Sequence, residues 1–134
     1  MASPHQAVLD ALSRFRTTWP RRGWSYDNRF QCVASTFDSN FAAEAKVLIA
    51  VMLPLVWTER TLLSAGPVIN TVAARTGGVR AAQMIFGAER AGYITPYGLW
   101  WPWEEGRTIS LRIGLEGASG GDVIDLCAAF GTEP

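Results

Sequence analysis

The stretch from Gly66 to Ile113 constrains the fold of this chain more than any other. Gly66-Pro67 opens a helical segment, Pro67-Val-Ile-Asn-Thr-Val-Ala-Ala-Arg75, with proline at the first helical position. Thr76-Gly77-Gly78 breaks it. The next segment, Val79 to Ala91, is rich in helix formers, and Ala81, Ile85 and Ala88 fall on one face of a helix with Met84 beside them. This spacing predicts a second helix, stopped by Gly92. Tyr93-Ile94-Thr95 then reads as extended. A hairpin follows, from Leu99-Trp-Trp-Pro-Trp103 through the tip Glu104-Glu105-Gly106 to Arg107-Thr-Ile-Ser-Leu-Arg-Ile113.

Helix, tight turn, helix, glycine stop and hairpin is the order of a winged helix-turn-helix. The expected fold class is α+β: a winged helix-turn-helix with an N-terminal helical extension and a C-terminal helix. A chain of 134 residues fits one domain with a single core. Residues 1–40 are read as the N-terminal helix and extension, 41–115 as the winged-helix core, and 116–134 as a linker and C-terminal helix.

The flanking elements follow from local signals. Ser3, Pro4 and Gln6 make a helix start, with Ser3 as cap and Gln6 completing a capping box. Val8, Ala11, Leu12 and Phe15 then form one apolar stripe, and Trp19-Pro20 ends the helix. Arg14, Arg16, Arg21 and Arg22 fall at its C-terminal end, where cations suit the dipole. Residues 20–29 are turn-like, and Phe30 to Phe37 reads as a strand with Phe30, Cys32 and Ala34 on one face. Asp38-Ser39-Asn40 caps a helix from Phe41 to about Leu53, whose near-continuous apolar character implies burial on most sides. Leu62 and Leu63 are placed as a short strand beside the hairpin. Asp122 is expected to cap a last helix carrying Val123, Ile124, Leu126, Cys127 and Phe130 inward.

Charge bounds the choice of partner. The formal net charge is zero, so the overall basic excess typical of nucleic-acid binders is missing. Residues 1–30 are nonetheless basic and residues 104–134 acidic. The longest apolar run, Val47 to Trp57, is shorter than the roughly 20 residues a bilayer span requires, so no membrane partner is expected. No secretory signal or CxxC pair is present, so Cys32 and Cys127 are expected as free thiols and the location as cytoplasmic.

No catalytic constellation is expected. His5 is the one histidine and is read as a solvated residue of the first helical turn. Neither cysteine has a histidine near it in sequence, and no metal or cofactor site is expected. The Gly-rich Gly114–Gly121 lacks the Gly-Lys-Ser/Thr ending of a phosphate loop.

The candidate site residues lie in the central stretch. The predicted second helix turns Arg80, Gln83, Phe86, Gly87 and Arg90 outward. Arginine and glutamine are able to read guanine and adenine edges in a major groove, so Arg80 and Gln83 are candidate base readers, with Arg75 and Arg90 on phosphates. Glu104 and Glu105 at the wing tip would repel phosphate. Trp100, Trp101 and Trp103 form the densest aromatic cluster, and adjacent Trp100 and Trp101 must face opposite sides of a strand. With Phe86 they are candidate partner-binding residues.

Arg80-Ala-Ala-Gln-Met-Ile85, followed by Glu89, Ala91-Gly92 and extended Tyr-Ile-Thr, resembles the recognition helix of the gamma domain of FtsK-type DNA translocases. The resemblance covers about thirty residues and implies the fold and a DNA contact for Arg80. The chain departs from that family at Val79 and Gln83, where DNA-facing polar or basic residues are the pattern, and lacks its motor. Two functions are therefore expected. The first is a small regulator or accessory factor that binds duplex DNA. The second is a protein-binding winged helix, an adaptor or small inhibitor, using the Trp-rich wing, with a homodimer among its partners.

Overall fold

A computed structural model of the chain describes residues 3–20 and 23–134; Arg21 and Arg22, assigned above to a helix end, lie outside them. The elements in order are α1 (Pro4–Thr18), β1 (Ser25–Asp27), β2 (Cys32–Asp38), α2 (Ala42–Met52), β3 (Leu55–Trp57), α3 (Pro67–Arg75), β4 (Met84–Gly87), β5 (Thr95–Trp103), β6 (Thr108–Glu116) and α4 (Gly120–Ala129). The six strands form one antiparallel sheet in the order β1-β2-β6-β5-β4-β3. The class is α+β.

The local signals explain the helices. The Ser3 hydroxyl accepts from the Gln6 amide at 3.1 Å and starts α1; Trp19 closes it with its amide donating to Phe15 and Arg16 carbonyls. Asp38 accepts from the Asn40 amide and starts the single 3-10 turn that leads into α2. At α4 the cap is Ser119 rather than Asp122. Asp122 sits three residues on, and the two exchange hydrogen bonds as a capping box.

Register decides which side chains share a face, because cross-strand partners point the same way. Phe37 opposes Ile109, Val33 opposes Ile113, Leu111 opposes Trp100, and Gly98 opposes Phe86. These residues meet α1, α2 and α4 in the larger core, with Leu12, Phe15, Ile49, Leu53, Leu126 and Phe130. Trp19 is an aromatic hub there, its ring 5.1–5.6 Å from Phe15, Trp24, Phe37 and Phe41. The opposite face carries Ile85, Tyr97 and Leu99, covered by Ile69, Val72 and Ala73 of α3. Each large aliphatic side chain buried in these two layers contributes about 1.5–3 kcal/mol.

The helix expected over Val79–Ala91 is not formed. Val79 to Gln83 is a turn, Met84–Gly87 is β4, and Ala88–Arg90 is irregular. Gly77, Gly78 and Ala82 have positive φ, which no right-handed helix accommodates. Ile85 and Phe86 are buried on opposite faces because β4 lies inside the sheet, between β5 and β3. Leu62 and Leu63 lie in a 3-10 turn rather than a strand, and the strand that pairs with the hairpin on that side is β4, with β3 beyond it at the edge. The hairpin is present as β5 and β6, with Glu104 and Glu105 at its tip at positive φ.

Candidate protein-binding edge

The four basic and polar residues picked for DNA do not share an element. Arg75, in the last turn of α3, donates to the Tyr97 hydroxyl at 3.0 Å and pairs with Glu116 at 3.1 Å. Partial burial acts against its charged form, but Tyr97 and Glu116 outweigh that and hold its pKa above the ordinary arginine value. Arg80 and Gln83 belong to the turn before β4, where the Arg80 amide donates to Gln83 Oε1 at 2.9 Å. Arg90 is exposed in the connection between β4 and β5.

The aromatic candidates divide. Phe86 and Trp100 are core residues, with Trp100 3% exposed and packed edge-on against both Phe37 and Phe86. The Lys46 ammonium lies 5.2 Å from the Trp100 ring centre. Trp101 is on the other face, held between the edge of Phe30 and the Arg112 guanidinium, 4.5 Å from its ring centre. Arg112 is itself fixed by an ion pair to Asp27 at 3.0 Å and a hydrogen bond to Ser110. Trp103 is half exposed and touches Trp101 edge-on. β5 is an interior strand, but β4 reaches only Trp100, so Trp101 to Trp103 have β6 as their one strand neighbour. Pro102, which has no amide hydrogen to donate, falls in that half-paired part.

The strongest surface feature is elsewhere, at the sheet edge formed by β3. Val47 and Val51 of α2 are 68% and 84% exposed, and Val56 of β3 is 50% exposed. Val56 opposes Phe86, which opposes Gly98, and a Cβ on Gly98 would lie 3.2 Å from Leu53 at the end of α2. Val56 therefore shares the sheet face that α2 covers. On the other face Leu55 is exposed, and Leu63 and Val68, just beyond β3 in sequence, are exposed too. α2 was expected to be buried on most sides. Only Ala45 and Ile49 of α2 are fully buried, while Val47 and Val51, four residues apart, line its outer face. The uncharged run Val47–Trp57 was visible in sequence; its exposure was not, because apolar periodicity is lost when both faces of a helix are apolar. A largely apolar groove of about 280 Å³, lined by Ala11, Phe15, Leu48, Val51 and Met52 with Arg14 and Thr18, continues this surface between α1 and α2.

His5, expected to be solvated, is instead turned from the first turn of α1 onto α4. Its Nε2 lies 3.2 Å from Asp122 and 3.8 Å from Asp125, and its ring stacks near Tyr93. Burial works against ionised Asp122, but hydrogen bonds from Ser119 and Tyr93 and the nearby His5 outweigh it and lower its pKa. The capping box and the Tyr93 bond account for both Asp122 oxygens, so this group ties the start of α1 to the start of α4.

No protein-family profile, curated protein or solved structure matches the chain. Among the described residues, no helix is long and apolar enough to cross a membrane.

Proposed function

We propose that this chain is a protein–protein interaction module, an adaptor or small inhibitor, whose docking surface is the β3 edge and the outer face of α2. One observation carries this reading. Of the nine large hydrophobic residues exposed among the described residues, four (Val47, Val51, Leu55 and Val56) lie on α2 and β3, and two more, Leu63 and Val68, follow within the next elements of the chain. Apolar exposure concentrated in one place marks an interaction surface, whereas scattered single residues do not. The edge also offers the unpaired backbone groups of β3, and β3 itself carries none of the charged side chains that usually blunt an exposed strand.

The Trp-rich wing is the weaker version of the same function, since Trp103 alone of its three tryptophans is exposed. The duplex-DNA reading drew on a recognition helix over 79–91. Without that helix its support reduces to Arg80 and Arg90 as exposed cations.

The test is photocrosslinking. A benzophenone amino acid placed at Val51 or Val56 should yield discrete protein adducts in a native extract, and the same probe at Ile124 on α4 should not. Absence of adducts at both edge positions, or an identical pattern from Ile124, would remove this function.

A further inference from the structure

We infer that the occupant of the β3 edge is a second copy of this chain, docked about a two-fold axis beside Val56. The inference rests on the protein-binding reading and names its partner. In an antiparallel pairing centred on Val56, Val56 meets its own copy and Leu55 faces Trp57 of the other copy. A two-fold axis closes such a contact, because the same patch is used on both sides and each β3 edge is consumed by the other.

Three features favour a copy of itself over a charged partner. First, Val47 to Trp57 contains no charged residue, so like surface meets like surface without desolvating an ion. Second, the charged residues flanking that run in sequence are Glu44 and Lys46 on one side and Glu59 and Arg60 on the other. Equal numbers of both signs let a rim pair with itself without net repulsion. Third, the area fits. Val47, Val51, Leu55 and Val56 together present on the order of 400 Å² of apolar surface, near the largest patch a typical monomer shows. A standard interface covers about 800 Å² per partner, a little over half of it non-polar. Pro54 and the shortness of β3 limit the strand pairing, so α2 against α2 supplies most of the buried area.

Sedimentation velocity over a concentration series of the purified chain tests this. The wild type should be a dimer at micromolar concentration. Val51→Glu, Val56→Glu and Val56→Lys should each weaken association at least about tenfold. Both positions are exposed, so melting temperatures should stay close to wild type, and Ile124→Glu should remain dimeric. Mixing Val56→Glu with Val56→Lys should restore a dimer, because the axis puts the two side chains opposite each other. A wild type that stays monomeric throughout the series, or a dimer that survives all three edge variants, overturns the second-copy assignment. A mixture that stays monomeric overturns the axis at Val56. Monomeric protein with edge crosslinks to a different protein removes the second copy alone; no edge crosslinks removes the docking surface itself.

Discussion

The ring of Tyr97 occupies the space in which residue 114 would carry a side chain: a Cβ built on Gly114 would lie 2.5 Å from Tyr97 Cζ. The two are direct cross-strand partners on β5 and β6. Glycine at 114 lets the phenol cross the neighbouring strand and reach Arg75, which ties α3 to the sheet through Tyr97 and Glu116. Burial pushes the Tyr97 hydroxyl up to about 12 despite the cation beside it, so it stays a neutral donor and acceptor. Gly114→Ala should therefore destabilise the fold by about 1–3 kcal/mol through overpacking. Gly120→Ala, at the start of α4 with nothing within 4 Å, should be neutral or slightly stabilising. Urea titrations of both variants decide this; equal stabilities would mean that Tyr97 moves aside without cost.

The tryptophans separate by burial. Trp100→Ala opens a cavity among Phe37, Phe86 and Leu111 and should cost about 3–5 kcal/mol. Trp103→Ala, at a half-exposed position, should cost no more than about 1 kcal/mol. Thermal melts that rank the two the other way would contradict the register of β5.

Much of this was legible beforehand, but the strands β1, β3 and β4 were not. Ser3, Pro4 and Gln6 specify the start of α1 because capping is local chemistry. The hairpin was legible from its Glu104–Gly106 tip, and α3 from Gly66-Pro67. Met84-Ile85-Phe86-Gly87 was misread because a four-residue apolar run between two turns has no period of its own. Its neighbours Ala81, Ala82 and Ala88 favour helix by propensity, but pairing with both β3 and β5 wins over propensity. The DNA-facing residues shared that error, since their common face existed only on the predicted helix. The β3 edge was hidden for another reason. Sequence shows that Val47 and Val51 are apolar, but whether a neighbour covers α2 depends on where β3 ends the sheet.

Both thiols are free and buried. Burial, with Asp27 nearby, pushes Cys32 up to about 12, and burial also raises Cys127. Little thiolate is then present at pH 8, and access is blocked as well. Ellman's reagent should react with neither cysteine in the native protein, and with two per chain once it is denatured without reductant. Fast reaction of one thiol would show that its element opens readily.

Acid should weaken the fold through Asp27. Burial alone would raise its pKa, but the hydrogen bond and charge of Arg112 outweigh it, so the folded value lies below the ordinary 3.8. A depressed carboxylate contributes stability that is fully present above the unfolded value and is lost as pH falls through the folded one. Stability should fall on going below about pH 4–5. Asp27→Asn should flatten that fall without abolishing it, since Asp122 is lowered too and titrates in the same direction. Urea midpoints from pH 6 to pH 2 measure this; an unchanged slope in Asp27→Asn would mean that the Arg112 pair does not form in solution.

Arg75 and Arg80 make opposite predictions, and the comparison weighs protein binding against DNA binding. Arg75→Ala removes the partner of a buried phenol and leaves Glu116 without its cation, which should cost about 1–3 kcal/mol. Arg75→Lys should not restore it fully, because an ammonium lacks the planar fork that spans Tyr97 and Glu116. Arg80 is exposed in a turn whose hydrogen bonds use its backbone carbonyl and amide rather than its side chain, so Arg80→Ala should change stability by less than about 0.5 kcal/mol. Gel shifts on random duplex at low salt complete the test. If the module binds protein, the wild type and Arg80→Ala should both leave the duplex unshifted. A shift by the wild type that is lost in folded Arg80→Ala would overturn the protein-binding reading and return the function to DNA.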